Sequence, residues 1–179
     1  DMADIILHGQ LLQQLVARRI VAAQRPFRHR AVEEQAGVGV ALAVSRFVLG
    51  CDNKDTAEEG APVWDHWFDK GGTAFDTAHI YGGGKHETAL GGWISQRGVG
   101  KSVVVICKGA HTPHCTPEAI GQQLTVSLER LRLDHAPIYI MHRDNPEVPV
   151  SEFVDAINTL QRKGFIGIYG GSNWSVPRL

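Results

Sequence analysis

Phe75-Asp-Thr-Ala-His-Ile-Tyr81-Gly-Gly-Gly-Lys-His-Glu87 sets an aspartate, Asp76, and a tyrosine, Tyr81, five positions apart across a strand end and the glycine-rich loop that follows it. Further on, Val103-Val-Val-Ile-Cys-Lys108 and Pro137-Ile-Tyr-Ile-Met-His142 each close an apolar run with a polar group, a lysine and a histidine. Apolar runs without alternation are the pattern of strands covered on both faces. Four polar groups therefore stand at or just beyond the ends of three successive predicted strands. In a parallel barrel those ends converge on one face, where active sites are assembled.

From Ser45 onward, short apolar runs alternate with longer amphipathic ones, the signature of βα units and a parallel sheet. The predicted strands are Arg46–Gly50, Thr73–Asp76, Ser102–Lys108, Ala136–His142 and Phe165–Tyr169. Helices fit the gaps. The first carries Val63, Trp64, Trp67 and Phe68 and ends at Gly71-Gly72, since glycine takes the left-handed cap conformation readily. The second runs from about Glu87 to Gln96 with Leu90, Trp93 and Ile94 inward. In the third, Thr116 is the N-cap, Pro117 the first helical residue, and Ile120, Leu124, Leu128 and Leu131 form the apolar stripe. The fourth begins near Ser151, stops before Gly164 and places Phe153, Ile157 and Leu160 on one face. A closed barrel needs eight such units over roughly 250 residues. The expected fold class is therefore α/β, a (β/α)8 TIM barrel represented by about its first five βα units.

At these residues the chain resembles the aldo-keto reductase family. The resemblance runs from about Gly37 to the C-terminus and includes Gly171-Ser172-Asn173 after the fifth strand. It implies that Asp76, Tyr81, Lys108 and His142 are the catalytic set, and that Ser172 and Asn173 hold the nicotinamide carboxamide. The expected reaction is reduction of an aldehyde or ketone to an alcohol, with NADPH as cofactor and a tyrosine as general acid. The adenosine phosphate of NADPH is expected to be held by residues late in the barrel, beyond this chain. Ala36-Gly-Val-Gly-Val-Ala-Leu-Ala-Val-Ser-Arg46 resembles the family's short hairpin at the barrel bottom. Two alternatives stay open: a nicotinamide-sensing regulatory subunit of the same fold, and an inactive truncated product.

The chemistry asks for these residue types. Hydride transfer to a carbonyl builds negative charge on oxygen, so the site must supply a proton and positive potential there. A tyrosine is a weak acid near neutral pH, with a reference pKa of about 10, and a neighbouring ammonium favours its phenolate form. That is the expected role of Lys108, with Asp76 as the anion that keeps the lysine charged. His142 is left to hydrogen-bond the substrate oxygen. A cofactor site of the Rossmann type is excluded by the lack of a Gly-x-Gly-x-x-Gly strand-turn-helix element.

Composition bounds the remaining possibilities. With 179 residues and 43% hydrophobic content the chain can bury a substantial core. A formal net charge of -1 offers no field to gather nucleic acid or an anionic membrane, so neither is an expected partner. Three cysteines, Cys51, Cys107 and Cys115, form an odd count without framework spacing, which suits reduced thiols and a cytoplasmic location. Within residues 1–35, Leu11, Leu12, Leu15, Val16 and Ile20 share a helical face, a pattern expected of a helical extension or the tail of an upstream domain. Residues 36–179 are assigned to the reductase barrel.

Three further groupings have plainer readings. Cys107-Lys-Gly-Ala-His111-Thr-Pro-His114-Cys115 gathers zinc-type ligands, but Cys107 sits inside an apolar strand and His114 adjoins Cys115, so no metal is expected there. Gly82-Gly-Gly-Lys-His86 lacks the Gly-Lys-Ser/Thr ending of a phosphate loop. Asp144, Asn145, Trp174 and Cys51 stand near strand ends as possible contributors to a substrate pocket.

Overall fold

The computed structural model describes residues 42–178. Five parallel strands are joined by four helices: β1 (Val48–Gly50), α1 (Ala57–Asp69), β2 (Ala74–Asp76), α2 (Lys85–Arg97), β3 (Val104–Gly109), α3 (Pro117–Leu131), β4 (Ala136–Met141), α4 (Val150–Arg162) and β5 (Ile166–Gly171). The sheet order is β1-β2-β3-β4-β5, so each helix returns the chain to the adjacent position. This is the simple winding of a (β/α)8 barrel, represented by its first five strands. No helix among the described residues is long and apolar enough to cross a membrane.

Strand pleating sorts the residues into two layers. Phe75, Val105, Cys107, Tyr139 and Met141 face the helices and join Leu90, Trp93, Ile94, Ile120, Leu124, Phe153 and Ile157 in the larger core. Val104, Ile106, Ile138 and Ile140 form a second cluster on the other face, with Leu42, Val44, Val48 and Ile168 packed against it. Asp76, Lys108 and His142 continue the parity of this second set. An even step along a strand keeps a side chain on one face, so all three project from the inner side at the carboxyl ends.

The N-cap of α3 falls where the sequence predicts it. Thr116 Oγ1 accepts from the Ala119 amide at 3.3 Å and Pro117 opens α3, while Ile120, Leu124, Leu128 and Leu131 are all buried. Thr56 caps α1 in the same way, through the Glu59 amide at 3.2 Å. Trp64 is buried in α1, but Val63 is 47% exposed; it lies one residue off the stripe that faces the sheet and α2. The second helix begins two residues before Glu87, at Lys85, because the preceding glycines form a tight turn that delivers the chain already wound. Residues 42–46, the described part of the expected bottom hairpin, form no strand, although Leu42 and Val44 do pack on the inner cluster. The rest of that hairpin and the N-terminal apolar stripe lie outside the described residues.

Candidate active site

Register brings the four polar groups together. Asp76 closes β2 opposite Ile106, and two residues on along β3, still on the inner face, stands Lys108. Beyond β2, the Thr77 amide donates to the Ile106 carbonyl at 3.0 Å and the His79 amide to the Lys108 carbonyl at 2.8 Å, so the chain stays clamped to β3 past its strand end. It then turns sharply: Tyr81–Gly84 is a short 3-10 turn in which Gly82 and Gly83 have φ of 56° and 64°. Gly84, at φ 98°, starts α2, and a Cβ there would collide with the Arg130 guanidinium. The glycines after Tyr81 thus have a conformational reason and a packing reason, and neither requires a phosphate.

The turn carries Tyr81 back over the sheet. Lys108 Nζ donates to Asp76 Oδ2 at 2.7 Å and to Tyr81 Oη at 2.9 Å. It also sits 4.8 Å from the centre of the Tyr81 ring. The Lys108 and Asp76 side chains are only 11% and 13% exposed. Burial acts to lower the Lys108 pKa, but the Asp76 carboxylate outweighs it and holds the ammonium above its ordinary value. Burial likewise pushes the Asp76 carboxyl up from its ordinary value, and the Lys108 ammonium opposes that rise. We assign the pair as ionised at neutral pH, because each charge is the main compensation for burying the other.

His142, one residue past β4, meets this group edge-on, its ring 5.7 Å from that of Tyr81. It is 5% exposed, and its Nδ1 is buried without a protein partner. Burial, then the neighbouring charges, the Lys108 ammonium first and Arg143 with it, push its pKa down to about 3, so the ring is neutral at physiological pH. His111 packs edge-on against it at 4.8 Å, a contact between distant segments that no motif announces. Beside His142 and Lys108 opens a cleft of about 360 Å³, walled by the loop around His79 and the loop from Gly109 to His114.

Ser172 and Asn173 follow β5. The Ser172 amide donates to the Met141 carbonyl at 2.8 Å, which docks this loop onto β4. Asn173 takes a left-handed φ of 61° and its Nδ2 donates to the His142 carbonyl at 2.9 Å and to Ser172 Oγ at 3.0 Å. Asn173 Oδ1 and the Ser172 hydroxyl proton have no partner among the described residues. These are an acceptor and a donor, the complement of a primary carboxamide.

The other residues considered from sequence separate. Cys51 is 1% exposed within the main core, and Trp174 packs its ring 5.5 Å from Phe153, so neither lines the cleft. Trp174 is drawn down because Arg178 covers it at 5.5 Å while bonding both Asp144 oxygens, at 3.0 and 2.8 Å. Asn145 Nδ2 is spent on the Cys115 carbonyl at 3.1 Å. Cys107 is buried in the sheet-helix core, and Cys115 Sγ donates to the Arg143 carbonyl at 2.9 Å. Among the described residues no cluster of three or more His, Cys, Asp or Glu could hold a metal ion. His86 bonds Asp55 at 3.2 Å, whereas His79 lines the cleft.

Comparison with known proteins agrees with this fold. The chain is 34% identical over 153 residues to an oxidoreductase of Bacillus subtilis, YrpG, itself uncharacterised; the match covers 75% of this chain and 47% of that protein. It is 35% identical over 117 residues to a Schizosaccharomyces pombe protein described as a candidate voltage-gated potassium channel subunit beta, covering 60% of this chain and 34% of that one. Among solved structures it superposes with a TM-score of 0.68 on an aldo/keto reductase from Klebsiella pneumoniae in complex with NADP and acetate, at 27% identity over 75% of this chain and 48% of that one. The chain spans less than half the length of each of these relatives. The model of the aldo/keto reductase family matches residues 48–179. On that match, and with its strands wound as theirs are, the chain belongs to the aldo/keto reductase family.

Proposed function

We propose that this chain carries the catalytic half of an NADPH-dependent carbonyl reductase, in which Tyr81 gives its proton to the oxygen of an aldehyde or ketone. The observation that supports this most directly is the position of Lys108 Nζ, shared between Asp76 Oδ2 and Tyr81 Oη. An ammonium in that place stabilises the phenolate left behind when Tyr81 releases its proton, and Asp76 keeps the ammonium charged and aimed. His142, neutral and fixed by its neighbours, orients the substrate oxygen through a ring nitrogen instead of competing as the acid. Ser172 and Asn173 fit a nicotinamide carboxamide through the free donor and acceptor described above. A reduced nicotinamide, when bound, supplies the hydride.

NADPH is preferred over NADH in this reading because the Klebsiella relatives were solved with NADP and NADPH. Three free, buried cysteines suit a cytoplasmic protein. The fission yeast relative supports a second reading, a nicotinamide-binding regulatory subunit that retains the same side chains. Turnover separates them. The protein expressed from its full reading frame is assayed with NADPH against a panel of aldehydes and ketones, alongside Tyr81→Phe. Reduction that collapses in the variant supports the enzyme. Stoichiometric NADPH binding without turnover of any carbonyl supports the regulatory subunit.

A further inference from the structure

None of the side chains lining the cleft beside His142 is a carboxylate. Two cations reach that cleft, Lys108 and Arg130, and each already has its own acid, Asp76 at 2.7 Å and Glu87 at 3.0 Å. A third cation lies outside that lining but next to it, since it bonds His111, a lining residue. Arg143 follows His142 directly, and among the described residues no carboxylate lies within ion-pair distance of it. The adjacent acid, Asp144, is taken by Arg178.

The side chain of Arg143 is nevertheless held. His111 Nδ1 lies 2.9 Å from the Thr112 carbonyl, which can only accept, so Nδ1 carries the ring proton. Nε2 of the same ring is then an acceptor, and it receives Arg143 Nε at 3.4 Å. The His111 ring packs in turn on His142 at 4.8 Å. A guanidinium is thus placed one imidazole away from the group that orients the reacting carbonyl. Its two Nη groups have no partner among the described residues.

The geometry points to Arg143 as an anion subsite, which selects carbonyl substrates bearing a carboxylate or phosphate a few bonds from the reacting carbon. The inference rests on the reductase reading of the same cleft. A planar guanidinium engages either group through two parallel N–H bonds, and charge-assisted bonds of this kind are strong enough to give about tenfold selectivity or more. The charges of Lys108 and Arg130, already compensated, set the sign of the cleft without supplying the contact.

The test uses the protein from its full reading frame and matched probes: succinic semialdehyde against butanal, glycolaldehyde phosphate against glycolaldehyde, and calorimetric titration of succinate against neutral succinamide. The expected result is a preference of about tenfold or more in kcat/KM for at least one anionic aldehyde over its neutral partner, with succinate bound tighter than succinamide where the carboxylate is preferred. The two aldehyde pairs tell carboxylate from phosphate. Arg143→Gln should bring the ratio near one, and Arg143→Lys, which keeps the charge but not the fork, should restore part of it. A wild-type ratio near one for both pairs overturns the subsite, as does a preference that survives in Arg143→Gln. If Arg143→Gln fails to fold, a preference left whole by Arg143→Lys overturns the forked contact. Succinate binding that depends on Arg143 without turnover of any aldehyde would keep the subsite and reject the reductase reading instead.

Discussion

Arg130 Nη1 lies 3.0 Å from Oε2 of Glu87, a carboxylate with no exposed surface, and the same nitrogen donates to the His79 carbonyl at 3.0 Å. One guanidinium therefore ties α2 and α3 to the loop that presents Tyr81. Burial pushes the Glu87 carboxyl up, while Ser127 and Arg130 pull it back. Arg130→Met strands that buried acid and should destabilise the protein by about 3–5 kcal/mol. Glu87→Gln combined with Arg130→Met should recover much of the loss, because no uncompensated charge remains. Urea unfolding of the two variants checks this; equal losses in both would show that packing of the Arg130 stem, not charge, is what matters.

Tyr81→Phe keeps the ring over Lys108 and deletes the proton. Hydride transfer, followed by stopped-flow with the protein from its full reading frame, should slow by about 10²-fold or more, while NADPH affinity changes little. A near-normal rate would move the acid to another group, with the Lys108 ammonium the nearest candidate at 2.9 Å from Tyr81 Oη.

Lys108 and Tyr81 act as one unit in this reading, so their losses should not add. Lys108→Met should slow the chemical step about as far as Tyr81→Phe, and the double variant should be little slower than either alone. Multiplying losses would mean that the 2.9 Å contact is structural and that each residue helps independently.

Much of the site was legible because it depends on local order. Asp76, Lys108 and His142 each end or follow an apolar run, and parallel pairing then carries them to one edge without further information. Tyr81 was readable from the glycines that turn it back. What the sequence did not disclose depends on contacts between distant segments. Glu87 and Arg130 are 43 positions apart and meet only because α2 packs on α3. Trp174 looked like a rim residue, yet Arg178 and Phe153 pull it under the loop. His111 enters the sequence reading only within a zinc-type grouping that is set aside, since nothing in its loop announces that its ring lies on His142.

The neutral state of His142 has a cost that depends on pH. Its folded pKa, about 3, lies below the ordinary value of 6.5, so its contribution to stability is complete above the unfolded value and is lost as pH falls toward the folded one. Between pH 8 and pH 5 this single group should remove roughly 2 kcal/mol, as the unfolded chain takes up a proton that the folded one refuses. His79, also held below its ordinary value by burial and by Arg130, acts in the same direction. His142→Gln should flatten the stability curve over that interval. Unfolding free energies measured at the two pH values decide it, and an unchanged slope in the variant would mean that His142 is protonated in the folded state.

The last expectation concerns the 179-residue chain expressed by itself. Among the described residues its sheet has two free edges, β1 and β5, and Phe47 and Phe165, one residue before each, are 64% and 43% exposed. Unpaired strand edges beside apolar surface favour association between chains. A barrel interior is filled by layers drawn from alternate strands, so five strands leave those layers incomplete. The chain alone should therefore be marginally stable or self-associating, should bind NADPH weakly and should reduce no carbonyl. Lys108 would still bridge Asp76 and Tyr81, because strands β2 to β4 carry all of that contact. Geometry would persist where activity does not. Sedimentation, cooperative unfolding and NADPH titration of the isolated chain test the point, and a well-folded monomer that turns over an aldehyde would show that five strands suffice both for the fold and for the chemistry.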